Sequence, residues 1–152
     1  MDVILLACST FNQAVEYAQP MIPTRLVQID RPMMDLAVKQ GSRIGLLATV
    51  PTTVPSSDRL LHLAAREAGK EIQVSTRVCS EAFQVLKAGN PEKHNEILLT
   101  EIEALSDHVD VIVLAQVSMC VLESKLTNTK VPVLNSGRTS FAFLREYLES
   151  RI

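Results

Sequence analysis

At 152 residues with 47% hydrophobic side chains, the chain has the size and apolar content of one packed domain. Aromatic residues make up only 4% and tryptophan is absent, so the core is aliphatic, as suits buried parallel strands. A formal charge of -2 with no long basic stretch argues against a nucleic-acid partner, and no apolar run approaches the roughly 18 residues of a membrane span.

In chain order, short aliphatic runs predict strands at Val3–Ala7, Leu26–Ile29, Arg43–Thr49, Glu71–Thr76, Val111–Ala115 and Val131–Leu134. Helical signals lie between them. Asp30 is placed to cap a helix with Pro32 in its first turn, running to Lys39 and closed by Gly41. Ser56 or Ser57 is placed to cap Asp58–Ala68, which ends at Gly69. Ser80–Ala88 ends at Gly89, Pro91 opens a longer helix to about Asp107, and Ser118–Leu126 and Gly137–Ile152 complete the set. Alternating strands and helices predict an α/β fold, a mostly parallel sheet flanked by helices.

One segment occurs twice, as Asp2-Val3-Ile4-Leu5-Leu6-Ala7-Cys8 and as Asp110-Val111-Ile112-Val113-Leu114-Ala115-Gln116, with five of seven positions identical. Each copy is an apolar strand ending in a polar residue and a hydroxyl-bearing turn, Ser9-Thr10 in one and Ser118 in the other. The repeat predicts two similar α/β halves, each presenting a side chain at a strand's C-terminal end. The second copy is preceded by a whole set of strands and helices and the first only by Met1, a difference of about 65 residues against a full counterpart. The expectation is therefore one complete flavodoxin-like lobe plus a partial one: residues 1–30 as the remnant of a first lobe, 31–136 as the second, and 137–152 as a helix packing back towards the first.

Cys8 leads the candidates for chemistry. A thiol on the turn after a strand can act as a nucleophile or as a proton-transfer base once backbone N–H groups or a cation lower its pKa. The alternative is a small buried apolar residue. In Ala48-Thr49-Val50-Pro51-Thr52-Thr53, hydroxyls and free N–H groups between strand and helix can hold a carboxylate or phosphate, where a capping turn needs only one of them. No glycine-rich phosphate loop accompanies them. Gln116 and Ser118 match Cys8 and its turn; a glutamine donates and accepts hydrogen bonds but takes no proton at neutral pH. Cys79 and Cys120 read as packing residues, His94 as a surface histidine in a charged helix, and Asp30 and Asp35 as capping or exposed carboxylates. Three unpaired, widely spaced cysteines argue against a disulfide framework or a metal site and fit a cytoplasmic protein.

Four segments in this order resemble the aspartate/glutamate racemase superfamily: Leu6-Ala7-Cys8-Ser9-Thr10, Ala48-Thr49-Val50-Pro51-Thr52, Leu114-Ala115-Gln116-Val117-Ser118-Met119 and Val131-Pro132-Val133-Leu134. The resemblance implies two pseudo-symmetric lobes with a small carboxylate between them and proton transfer by two opposed cysteines without a cofactor. It places Cys8 at the first cysteine, with Ser9 and Thr10 in the adjoining turn. It places Thr49 and Thr52 at hydroxyls of the carboxylate-binding turn, and Gln116 where the second cysteine would stand.

The reading is a cofactor-independent isomerase-like enzyme acting on a small amino or dicarboxylic acid. Cys8 is its catalytic thiol, and Ser9, Thr10, Thr49, Thr52, Thr53, Gln116 and Ser118 bind the substrate. The alternative is a non-catalytic carboxylate-binding or assembly protein derived from such an enzyme. A partial lobe leaves strand edges uncovered, which predicts a homo-oligomer with residues 1–30 at its interface.

Overall fold

A computed structural model describes residues 2–150, so Met1, Arg151 and Ile152, at the ends of the expected first-lobe segment and final helix, lie outside the described residues. The elements are β1 (Val3–Leu6), α1 (Ala14–Ala18), β2 (Arg25–Gln28), α2 (Arg31–Gln40), β3 (Arg43–Ala48), α3 (Val54–Glu67), β4 (Gln73–Val78), α4 (Ser80–Lys87), α5 (Pro91–Ser106), β5 (Val111–Leu114), β6 (Val133–Asn135) and α6 (Ser136–Glu149). The class is α/β, as expected from the alternation.

Every strand pair is parallel. β1 and β2 form a two-stranded sheet, and the other strands form a second sheet in the order β4-β3-β5-β6. From β3 the chain winds outward to β4 on one side and to β5 and β6 on the other, so the order reverses between β3 and β5. At such a switch point the helices leave on opposite faces and a crevice opens beyond the strands' C-terminal ends.

Side-chain alternation explains why the second sheet is covered on both faces. Ile44, Leu46, Ala48, Val111, Val113 and Ala115 pack under α2 and α3 with Met33, Met34, Leu60 and Leu61. Leu47, Ile112 and Leu114 point the other way, against Leu98, Ile102 and Leu105 of α5 and Met119 and Leu122 beyond β5. Gly45 lets α5 approach this closely, because a Cβ there would lie 2.6 Å from Leu105 Cδ2. β1 differs: all four of its residues are only half-buried.

Several boundaries move for local reasons. Gly69 adopts φ 65°, and Lys70 N–H reaches back to Ala65 O, so the chain is still leaving α3 where a strand was expected. β4 starts at Gln73, whose N–H donates to Ser42 O. β6 starts after Pro132, which has no N–H for the ladder but accepts from Ile112 N–H through its carbonyl. α3 begins at Val54, fed by a tight turn over Pro51–Thr53, which puts Ser56 and Ser57 inside the helix; neither caps it, and Ser57 is buried. The expected helix Ser118–Leu126 is a 3-10 segment over Val117–Lys125, in which Met119 and Leu122 bury at the three-residue spacing of that tighter winding.

Residues 9–21 form α1 flanked by two 3-10 turns, Ser9–Phe11 and Gln19–Met21, none of which was expected. These pieces are too short to be stable alone and take their shape from long-range bonds. Gln28 Nε2 donates to Asn12 O at 2.6 Å, and Gln19 Oε1 accepts from Leu26 N–H at 2.8 Å. Gln13, with its amide oxygen turned to Arg59, and the Arg59–Glu16 ion pair join the same segment to α3.

Candidate functional site

The expected site residues gather at the C-terminal ends of the strands. Two residues beyond the last β3–β5 pair, Leu47 with Leu114, stand Thr49 and Gln116. Two beyond the last β1–β2 pair, Leu6 with Gln28, stand Cys8 and Asp30. The turn after Cys8 packs against the Pro51–Thr53 turn and α3, which brings the ends of the two sheets together.

Cys8 has an extended backbone (φ -137°, ψ 109°), and its carbonyl accepts from Phe11 N–H, closing the turn; the thiol is exposed. Ser9 is buried and Thr10 exposed. Thr52 is exposed and Thr53 buried, with its N–H donating to Val50 O. Ser118 is exposed on the 3-10 segment that follows Gln116.

Thr49 is joined to Gln116 directly. Its N–H and its hydroxyl both donate to Gln116 Oε1, at 2.6 and 2.8 Å. The last backbone rung between these strands is Ala115 N–H to Leu47 O. Beyond it the strands part, and the glutamine side chain supplies the acceptor that the ladder no longer provides.

Asp30 and His94 are the main corrections. Asp30 stands at the N-terminus of α2 but makes no side-chain cap; it is 0% exposed and accepts from Asn12 Nδ2 at 2.7 Å. Burial pushes its carboxyl above the ordinary carboxylate range, opposed by the hydrogen bond from Asn12. His94 is 2% exposed rather than on the surface, with Nδ1 3.0 Å from Ala82 O between α4 and α5. The acceptor carbonyl makes Nδ1 the protonated nitrogen. Nothing marks Asp30 as buried in the sequence except its position immediately after the apolar run Leu26–Ile29, the place that Cys8 holds after Val3–Ala7.

The other thiols are less open. Cys79 is buried, and burial pushes it up to about 11. Cys120 is half-buried, raised by burial, and donates to Asn135 Oδ1 at 3.1 Å. A groove of about 740 Å³ opens at the opposite end of the main sheet, beside Ser42, Arg43, Arg66, Lys70 and Gln73, and holds none of the expected site residues. Among the described residues no group of three His, Cys, Asp or Glu is placed to share a metal ion, and no helix is long and apolar enough to cross a membrane.

The chain is thus a parallel α/β protein with a thiol and a hydroxyl–amide pair at its strand ends, the place where open sheets of this class in general carry their ligand sites. The chain belongs to the Asp/Glu/hydantoin racemase family, whose model matches residues 1–143. Its fold is shared with glutamate racemase from Francisella tularensis subsp. tularensis in complex with D-glutamate (TM-score 0.74, 16% identity, covering 99% of this chain and 58% of that one). It is also shared with allantoin racemase from Klebsiella pneumoniae (TM-score 0.70, 19% identity, 100% and 61% covered) and with Picrophilus torridus aspartate racemase (TM-score 0.62, 19% identity, 89% and 57% covered). The chain thus spans about three fifths of the length of these structures. No curated protein sequence matches it.

Proposed function

We propose that the chain is a cofactor-independent isomerase-like enzyme acting on a small amino or dicarboxylic acid by thiol acid/base chemistry. The observation that carries this reading is the meeting of the Cys8 turn with the Pro51–Thr53 turn at the strand ends of a racemase-family fold. Cys8 is the base or nucleophile: its thiolate takes a proton from the carbon beside the substrate carboxylate, or adds to an activated double bond. Ser9, Thr10, Thr52 and Thr53 line the two facing turns, with Thr49, Gln116 and Ser118 at the switch point.

The test is hydrogen exchange in heavy water with a panel of amino and dicarboxylic acids. Deuterium at the α-carbon that disappears in Cys8→Ala supports the enzyme; saturable thermal stabilisation with no exchange in either protein favours the second reading, a carboxylate-binding protein. That second reading draws on Gln116, which cannot deliver a proton as a thiol would.

The reading includes a cytoplasmic homo-oligomer with residues 1–30 at its interface. It is supported by three free cysteines, by the half-buried β1 and by the exposed side chains of Phe11, Tyr17 and Met21. A clean monomer by light scattering at high concentration would count against it.

A further inference from the structure

Sequence reasoning assigns Thr49 to the ligand, as a direct donor. The structure gives both of its donors to Gln116 Oε1. Thr49 is itself buried, whereas Gln116 is only half-buried and borders the exposed Val117 and Ser118. The amide orientation follows from chemistry: a backbone N–H can only donate, so the Gln116 atom 2.6 Å from Thr49 N is the oxygen. Nε2 therefore points away from Thr49. Among the described residues it donates to none, and it stands at the point where the sheet order reverses.

We propose that Thr49 is a positioning residue acting through Gln116: by holding Oε1 with two donors, it fixes Nε2 as the donor that a ligand oxygen meets at this end of the site. This rests on the strand ends being the ligand site. Two bonds to one oxygen restrict the amide to a single orientation, which spares the side chain part of the ordering cost when ligand binds. The consequence is selectivity at this position: an acceptor oxygen is taken, and an ammonium group, which can only donate, is refused.

Side-chain amide NMR tests this directly. The probes are succinate, L-aspartate and L-glutamate, with 1,4-diaminobutane as a molecule of similar length that has no acceptor. In the wild-type protein the Gln116 NH₂ signals are expected to be ordered and to shift saturably with at least one carboxylate but not with the diamine. Thr49→Val, which keeps the N–H and removes the hydroxyl, is expected to loosen the Gln116 amide and weaken that carboxylate at least about tenfold. Thr49→Ser restores both. Gln116→Glu keeps an acceptor for Thr49 but loses the outward donor, so binding is lost while thermal stability stays near wild type.

Three outcomes overturn the proposal. If carboxylates shift the backbone signals of Cys8, Ser9 or Thr52 but leave the Gln116 amide unmoved, the site stands and the role of Gln116 does not. If no probe moves any strand-end signal, the site reading fails and takes the proposal with it. If Thr49→Val lowers stability but leaves the Gln116 amide as ordered as before, the pair is a strand-end cap only.

Discussion

Asn12 Nδ2 donates to the buried carboxyl of Asp30 at 2.7 Å, and this bond ties the segment that follows Cys8 to the end of β2. Gln28 Nε2 holds the Asn12 carbonyl from the same strand, and the Ser140 hydroxyl of α6 donates to Ile29 O between them. The thiol-bearing turn is thus fixed from behind by a polar seam, while its open side faces solvent. Seams of this kind are costly to break, because each group left behind is buried without a partner.

Asp30→Ala is expected to destabilise the protein by about 1–3 kcal/mol in urea unfolding, the cost of orphaning the Asn12 amide and its neighbours. The pH dependence has a definite sign. A carboxyl raised on folding contributes stability fully below its unfolded value of 3.8, and that contribution is lost as pH rises through the folded value. The wild type is therefore expected to gain on Asp30→Asn as pH falls towards 4; a constant difference across the series would count against a raised Asp30.

Asp110 is the opposite case. Arg43 meets it side chain to side chain at 2.6 and 3.0 Å, and the N–H groups of Arg43 and Ser42 donate to its other oxygen. The Arg43 side chain and then these N–H groups hold it down at about 2. Its contribution is present above the ordinary value of 3.8 and lost as pH falls through 2. Asp110→Asn should lower the melting temperature at pH 7, and the gap should close between about pH 4 and pH 2.

Gly45→Ala should destabilise by about 1–3 kcal/mol, since the added methyl meets Leu105 Cδ2 at 2.6 Å and Ile112 Cγ1 at 3.1 Å. Pairing it with Leu105→Ala should cost less than the sum of the two single changes. Strict additivity in chemical denaturation would mean that the sheet and α5 move apart freely.

The three thiols should alkylate in a definite order at pH 8, followed by peptide mass spectrometry. Cys8, exposed, is expected first, the half-buried Cys120 second and Cys79 last. With its thiol near 11, Cys79 is ionised to only about one part in a thousand at that pH. Labelling of Cys79 ahead of Cys8 would show that α4 opens readily.

The elements of the main sheet were largely legible because β3 and β5 are apolar on both faces and α3 and α4 carry clear stops at Gly69 and Gly89, both with positive φ. Residues 9–21 were not legible, because their turns are shaped by Gln19, Gln28 and Arg59, which act across 7 to 46 positions of sequence. His94 misled for a related reason: its neighbours Glu92, Lys93 and Glu96 are exposed, but it occupies the one position of that turn that faces Ala82.

What the sequence determined by itself is the set of strands, their parallel α/β class and the polar residue after each, since these depend on local composition and on a period of two or 3.6. Which of those polar residues meet was decided only by tertiary structure. The strand order β4-β3-β5-β6 sets Thr49 beside Gln116, 67 positions away, and the parallel register of β1 with β2 sets Asp30 beside the Cys8 turn. Local sequence carries no record of strand order, because neighbouring strands are chosen by the burial of whole faces rather than by any single residue.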